Sequence, residues 1–328
     1  MPTIPQKSEL TLVELAKRMD PKGKQAEIAE VLEETNEILE DLRFVEANNV
    51  TTHVSSIRKT LPEGSWRSIG GYTKSTSSAV RQITEDVGML EAYSKVDKKL
   101  AHLSGNPAAF RKQEDKAFIQ GLGIQMATAF IYGARAIDPA SFNGLAVRFN
   151  AYGMPNVTNA GGNGVNEGVT SLWMAQHDVG SFHGFYPRGS KAGLDVKDLG
   201  EDTETTAEGE RQIYRSHFTW DMGIMIRDYR AIQRVANIPV FNDSEKFVKF
   251  DNFMIAALNR MPKRGRGAVI YANLDMFTMF DILAKDKSNV AYGSAEVFGK
   301  TVTTFRGVPI RLVEAISSDE DVVTETAA

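Results

Sequence analysis

The chain of 328 residues contains no cysteine. Disulfide bonds, zinc–thiolate centres, iron–sulfur clusters and cysteine nucleophiles are therefore excluded. It also lacks an apolar run near the roughly 18 residues that cross a membrane, and its first residues lack the apolar segment of a signal peptide. We therefore expect a soluble protein, made in a cytoplasm, that has no membrane partner and is stabilised by packing and association.

The sequence contains 38 basic and 42 acidic side chains, so neither sign of charge dominates. This balance argues against the chain-wide basic surface that is typical of nucleic-acid-binding proteins. The length suits about two domains, each with its own hydrophobic core.

Motifs of catalysis are also scarce, and we find neither a Gly-x-Ser-x-Gly elbow nor a His-Glu-x-x-His pair. The glycine-rich stretch 159–168 lacks the spacing of a nucleotide-binding loop. His177, Asp178 and His183 are the best candidates for a metal or acid–base site, but a straight strand would place the two histidines about 20 Å apart. The sequence therefore indicates no enzyme and no cofactor, with a metal-dependent enzyme using these three residues as an alternative.

The centre of the chain predicts one long helix over residues 106–133. Asn106 is a good N-cap, Pro107 fits the first helical position, and Gly133 can close the last turn. Apolar residues recur between them at helical spacing and include Phe118, Leu122, Met126, Ala129 and Phe130.

The N-terminal region predicts helices over residues 8–19 and 25–43. The second has one apolar face and one strongly acidic face. Its apolar face must pack either on the core of its own chain or on a neighbouring subunit.

Residues 45–87 differ in character, since they hold few large aliphatic side chains and many Ser, Thr and Gly residues. Alternation over 50–58 predicts a strand, 61–64 a turn, and 65–69 the start of a return strand. A two-stranded arm with so thin an apolar face is marginal by itself in water. It is either a flexible linker or an arm that orders against another molecule. Trp66 with Arg67 near the tip favours the second, because both residue types are enriched at binding hot spots.

The second half of the chain predicts strands, then an α/β module. We expect strands over 170–186 and 212–228 that flank a solvated acidic loop at 200–210. The module comprises a helix over 244–261, a buried strand at 268–271, a helix from 273 to 285, and paired strands within 301–313. The basic residues around 260–266 suit a phosphate or a partner's carboxylates, or are a solvated turn. The acidic tail is expected to fray.

The order of these parts resembles the major capsid proteins of tailed bacteriophages, in their podovirus-type branch. Five short motifs carry the resemblance, which covers nearly the whole chain: Pro139-x-x-Phe142-Asn143-Gly144-Leu145, Ser171-Leu172-Trp173, Gly184-Phe185-Tyr186-Pro187-Arg188-Gly189, Trp220-Asp221-Met222-Gly223 and Arg234-Val235-Ala236-Asn237-Ile238.

This resemblance implies an α+β protein with the tailed-phage major capsid fold. The parts it implies are an N-terminal arm (1–47), an extended loop or E-loop with its base (48–100), a peripheral or P domain (101–239) with the spine helix 106–133, an axial or A domain (240–316), and an acidic C-terminal tail (317–328).

The resemblance also implies a structural function without catalysis or cofactor. The protein would assemble as pentamers and hexamers into an icosahedral shell around double-stranded DNA, which it would contact nonspecifically. Scaffolding and portal proteins would be its partners, with a decoration protein as an optional one; it would assemble in the host cytoplasm and reside in the virion. The implied subunit-interface residues are Arg58, Trp66, Arg67, Tyr72, Arg264 and Arg266. An encapsulin-like nanocompartment shell is the alternative with the same fold.

Overall fold

The computed structural model describes residues 36–164, 168–207, 209–240, 250–285, 292–297 and 300–325. The predicted helix over 8–19 and most of the predicted helix over 25–43 lie outside these residues. The described end of the latter is a short helix, α1, at Ile38–Asp41.

The other helices are α2 (Lys98–Leu103), α3 (Pro107–Tyr132), α4 (Leu145–Arg148), α5 (Phe250–Arg260) and α6 (Leu274–Lys285). The strands are β1 (Phe44–Glu46), β2 (Thr52–Thr60), β3 (Ala79–Asp86), β4 (Gly88–Asp97), β5 (Ala151–Tyr152), β6 (Val157–Asn159), β7 (Val169–Ala175), β8 (Phe182–Tyr186), β9 (Asp195–Thr206), β10 (Gly209–Ile226), β11 (Ile232–Pro239), β12 (Val269–Ala272), β13 (Tyr292–Val297), β14 (Lys300–Phe305), β15 (Val308–Leu312) and β16 (Thr324–Glu325).

The predicted long helix is confirmed by α3, with its 26 residues. The side-chain oxygen of Asn106 accepts a hydrogen bond from the Ala109 amide at 3.2 Å, so the predicted N-cap forms. At the other end the Gly133 amide donates to the Ala129 carbonyl at 2.8 Å. A Cβ atom at Gly133 would lie 2.4 Å from that carbonyl oxygen, which explains why glycine stands there. In the described ranges no helix has the length and apolar content needed to cross a bilayer.

The chain divides into two compact units. Among the described residues, the first unit comprises 89–127 and 193–221 and the second comprises the remainder. In the first unit, Phe118 of α3 stacks on Phe218 of β10 with ring centroids 5.6 Å apart. Val96, Leu100, Ala101 and Phe110 form a small buried core in the same unit. Ser216 donates a hydrogen bond to Asp115 at 3.1 Å.

The predicted acidic loop over 200–210 is wrong, because residues 195–206 form strand β9, paired antiparallel with β10. Its acidic side chains meet basic ones on neighbouring elements: Glu204 pairs with Lys95 at 2.6 Å and Glu201 with Lys98 at 2.7 Å. The hydrogen bond from Lys95 lowers the pKa of Glu204. These partners lie about a hundred positions away in the sequence, so the stretch read by itself indicates only solvation.

The second unit contains a seven-stranded sheet in the order β13-β14-β15-β12-β7-β11-β6. One buried cluster joins its strands to α5 and α6 and includes Leu172, Met254, Ile270, Phe280 and Phe305. The α/β module predicted after residue 240 is therefore confirmed in its described elements. Asn273 caps α6 as expected, since its side-chain oxygen accepts from the Met276 amide at 3.0 Å.

The position of a boundary between P and A domains stays a prediction. Strands β7 and β11 lie before the predicted boundary at 239/240, and β12 and β15 lie after it, yet all four belong to one sheet.

The expectation of a frayed C-terminal tail is wrong for residues 317–325, which we call the strap. Glu320 and Arg234 form an ion pair of 3.0 Å in which both side chains are only 5% exposed. Asn237 binds the backbone of Val323 through both its amide oxygen and its amide nitrogen, each at 2.8 Å. Strand β16 pairs with β5. The carboxylate of Glu320 neutralises the buried guanidinium of Arg234, and this ion pair holds the strap in place.

We expect Glu320→Gln to lower the free energy of unfolding of the unassembled subunit by about 3–5 kcal/mol, because it leaves the Arg234 charge buried without its partner. Urea unfolding followed by circular dichroism measures this. The neighbouring Asp321→Asn is the matched control, with an expected change within about 0.5 kcal/mol since Asp321 is exposed. Equal stability of the two variants would show that the ion pair does not hold the strap.

Candidate subunit interface

Strands β2 and β3 form an isolated antiparallel hairpin whose register runs from Thr52 opposite Asp86 to Thr60 opposite Ala79. The predicted first strand is confirmed. The return strand predicted at 65–69 is wrong, because pairing resumes only at Ala79 and residues 61–78 have no regular structure. Pro62 lacks an amide donor, and the stretch has no apolar face that could pack against β2.

The base of this hairpin is fixed by polar contacts within the second unit. Arg148 holds Glu85 with two parallel hydrogen bonds of 2.6 and 2.7 Å, and both side chains are largely buried. Arg135 pairs with the adjacent Asp86. The Asn48 side chain accepts from the Val54 amide at 2.8 Å and donates to the Val54 carbonyl at 2.7 Å. Bidentate arginine–carboxylate pairs fix direction as well as distance, so the hairpin leaves the body at a defined angle.

Apolar packing adds to this anchoring. Ile83 and Val87 lie against a buried cluster formed by Ala47, Phe185 and Met225. Gly88, directly after this segment, has the Phe142 ring so close that a Cβ atom would lie 2.8 Å from it. Glycine is therefore needed where the hairpin meets the body.

The tip of the hairpin is exposed. Trp66 and Ile69 each have a relative exposure of 105% and Tyr72 of 100%, so their side chains touch almost nothing. Within the described part of the chain, residues 61–78 make one backbone–backbone hydrogen bond, from the Gly71 amide to the Ser68 carbonyl. We call residues 58–81 the arm. It presents apolar side chains and open backbone donors and acceptors to whatever lies beside it.

The structure places four of the six predicted interface residues on this arm. Arg58, Trp66, Arg67 and Tyr72 are all exposed there. Arg264 and Arg266 are exposed too, but on a turn that follows α5.

That turn has an unusual backbone, because Lys263 and Arg264 both have a positive φ, 51° and 56°. A Cβ atom at Gly265 would lie 2.7 Å from the Leu258 side chain. The turn is thus fixed in shape while its arginines face solvent.

Sequence reasoning did not select three other exposed apolar residues of the arm. Leu61, Ile69 and Val80 are exposed at 73%, 105% and 59%. Their apolar character among many serines and threonines was the available signal. The anchors Glu85 and Asp86 gave no such signal, because their arginine partners lie more than 45 positions away.

The alternative metal site does not form as the sequence suggested. Residues 176–181 turn back between β7 and β8, so the straight strand expected over 170–186 is wrong. His177 Nε2 lies 2.6 Å from the Tyr271 hydroxyl group, and Asp178 lies on the turn, where its side chain is 60% exposed. Among the described residues, no group of three His, Asp or Glu side chains is placed to hold a metal ion.

His183 is buried on β8, and no described residue forms a hydrogen bond with either of its ring nitrogens. Its ring meets that of His53, on β2, edge-on at 5.7 Å. The pKa values of His177 and His183 are both lowered to about 4, and burial is the largest cause for each. Both side chains are therefore neutral in the folded protein near pH 7.

Comparison with known proteins identifies the protein family of this chain. Residues 20–324 match the family described as major capsid protein GP7. The chain belongs to this major capsid protein family. Because this match covers most of the chain, the prediction of a phage major capsid protein is confirmed.

Solved structures agree. A chain from the cryo-EM structure of bacteriophage epsilon15 is 28% identical, with 100% of this chain and 99% of that one covered and a TM-score of 0.72. The capsid of bacteriophage JBD30 covers 93% of this chain and 99% of its own at 9% identity, with a TM-score of 0.53, which is a likeness of fold alone. No curated protein sequence matches. The predicted tailed-phage capsid fold is thus confirmed, and the capsid protein assembles with copies of itself into a shell.

The buried histidines predict a pH dependence of subunit stability. Their pKa values in the folded protein lie below the ordinary 6.5. Their contribution to the free energy of unfolding is therefore complete above pH 6.5 and is lost as the pH falls toward 4. The free energy of unfolding should therefore fall when the pH is lowered from 7 to 5. We expect this fall to be about 2 kcal/mol smaller in His183→Leu than in the unmodified protein. Urea unfolding at both pH values measures it.

The unmodified protein, unfolded in urea at the same two pH values, supplies the control. An unaltered pH dependence in His183→Leu would mean that this ring is charged, or exposed, in the folded subunit.

Proposed function

We propose that the arm is the contact by which each capsid subunit holds a neighbouring copy in the shell. The observation that carries this proposal is the full exposure of Trp66, Ile69 and Tyr72 at the tip of an anchored hairpin. A large aromatic side chain buries about 150–250 Å² when it finds a partner surface. Leaving these side chains in water has no benefit for a solitary molecule, and burying them between copies contributes to association.

The backbone of the arm supports the same reading. Residues 61–78 leave most of their amide and carbonyl groups without backbone partners in the described chain. An extended segment of this kind can add to a strand or loop of a second molecule through main-chain hydrogen bonds. The fixed base then sets where the arm reaches, so little orientational freedom is lost when it docks.

The geometry of such a contact suits ring closure. An arm that leaves one face of a subunit and binds a different face of the next makes a heterologous interface. Repeated around an axis, heterologous interfaces close into pentamers and hexamers, and these form an icosahedral shell. Arg264 and Arg266, exposed on their rigid turn, would add a second contact by binding carboxylates of a neighbouring copy.

The remaining expectations belong to the same proposal. The shell encloses double-stranded DNA without sequence-specific contacts, and the subunit carries out no catalysis and holds no cofactor. Scaffolding, portal and decoration proteins are its partners during assembly in the host cytoplasm. Residues 48–100 act as the E-loop with its base, 101–239 as the P domain and 240–316 as the A domain. The family match and the epsilon15 likeness support the capsid role on which these expectations rest.

We expect Trp66→Ala to reduce the yield of closed shells at least tenfold while the subunit keeps its helical circular dichroism signal. The reason is that the substitution removes apolar surface that only a neighbouring copy can bury. Electron microscopy and analytical ultracentrifugation of the purified protein measure the yield.

The matched control is Ile137→Ala, which removes an apolar side chain of 88% exposure that lies outside the arm. It should assemble like the unmodified protein. Normal assembly of Trp66→Ala would contradict the proposal, and loss of its helical signal would mean that Trp66 is part of the subunit core.

A further inference from the structure

The arm carries a strong excess of positive charge. Between residues 58 and 81 the chain has one acidic side chain, Glu63, and five basic ones: Arg58, Lys59, Arg67, Lys74 and Arg81. All are exposed, and within the described part of the chain none of the five basic side chains forms an ion pair. Exposed cations that lack an ion-pair partner are available to an acidic surface of another molecule.

The rest of the chain must supply more negative than positive charge, since the net charge of the whole is −4. Much of that negative charge is already matched within the subunit. On β9, Asp198 pairs with Arg111, Glu201 with Lys98 and Asp202 with Arg215. These acidic side chains are poor targets for the arm, because a new cation would have to displace an existing one.

The strap is different. After Arg311 the chain contains no basic residue, and the acidic residues Asp319, Asp321 and Glu325 are exposed without a cationic partner among the described residues. The buried Glu320–Arg234 pair and the Asn237–Val323 hydrogen bonds hold these three carboxylates on a rigid surface. A rigid acidic surface is the electrostatic complement of an exposed basic arm.

We propose that the arm of one copy docks, through its basic side chains, on the acidic strap of a neighbouring copy. This inference rests on the proposed function of the arm as a contact between subunits, and it names the surface that receives it. The aromatic tip supplies apolar area, while the charges select the receiving surface and its orientation. Exposed ion pairs are screened over about 8–10 Å at physiological ionic strength, so added salt weakens docking.

Double-stranded DNA is the competing partner, because clustered lysines and arginines also bind phosphates. Two observations favour the strap. The cations of the arm are interspersed with exposed apolar side chains, whereas nonspecific DNA binding needs only charge. The strap also offers an acidic surface that has no cationic partner among the described residues. It is on the same chain and is therefore present at equal concentration in every shell.

The test is a charge exchange between the two surfaces in the full-length protein. Arg67→Glu with Lys74→Glu reverses the arm, and Asp319→Lys with Asp321→Lys reverses the strap. We expect each reversed pair to lower the shell yield at least tenfold and the combined four-residue variant to recover most of it. Arg188→Glu with Lys99→Glu reverses two exposed cations elsewhere and should assemble normally. Circular dichroism confirms that every subunit is folded.

The outcomes are distinguishable. Failure of the combined variant to assemble better than either reversed pair overturns the strap as the receiving surface. Normal shell yield in the arm variant, with less DNA retained in purified particles, shows that the cations bind DNA and also overturns it. If Trp66→Ala blocks assembly while the charge reversals do not, the arm still joins subunits and only this electrostatic inference fails. If none of these variants affects assembly, the proposed function of the arm fails as well.

Discussion

An extended hairpin whose apolar tip is covered by no described residue of its own chain is the constraint around which this capsid protein is organised. Trp66, Ile69 and Tyr72 lie in water, while the hairpin base is tied to the body by Arg148 and Arg135. The two ends of one element thus have opposite requirements. Rigidity at the base limits the entropy that docking removes, and exposure at the tip leaves apolar surface for a neighbour to bury. Neither property would serve a protein that acts alone.

A shell built without cysteine must obtain its durability from packing and from charges that are fully matched. In the second unit, the buried Arg234 is held by Glu320, by the Ser171 hydroxyl group at 2.9 Å and by the Phe149 carbonyl group at 2.8 Å. Its guanidinium also lies 4.9 Å from the centre of the Trp173 ring. A buried charge with so many partners joins distant segments, including the strap, because removing any partner leaves the charge unsolvated.

The charged side chains have two roles that composition alone does not distinguish: some form ion pairs within the subunit, and others form none in the part of the chain that the structure describes. Ion pairs between β4, β9, β10 and α2 neutralise the acidic strand within the first unit. The cations of the arm have no such partners in the described residues. Charges that a subunit matches internally stabilise it, and charges that it leaves unmatched are available for association. A net charge near zero therefore conceals a strongly uneven surface.

The sequence by itself determined the long helix at Pro107–Tyr132, the Asn273-capped helix, the paired strands near the C-terminus and the polar, weakly apolar character of the arm. Each depends on local periodicity, on capping or turn residues, or on composition, which a short window contains. Only the tertiary structure decided that residues 200–206 belong to a strand, that Asp178 lies on a turn, and that the strap is held on the body. The strand and the strap depend on Lys95 and Arg234, residues that come close to them only in the folded chain, whereas the turn at Asp178 is a local one that Phe182 closes. Pairing between remote residues leaves no periodic signal, so no reading of one segment could supply it.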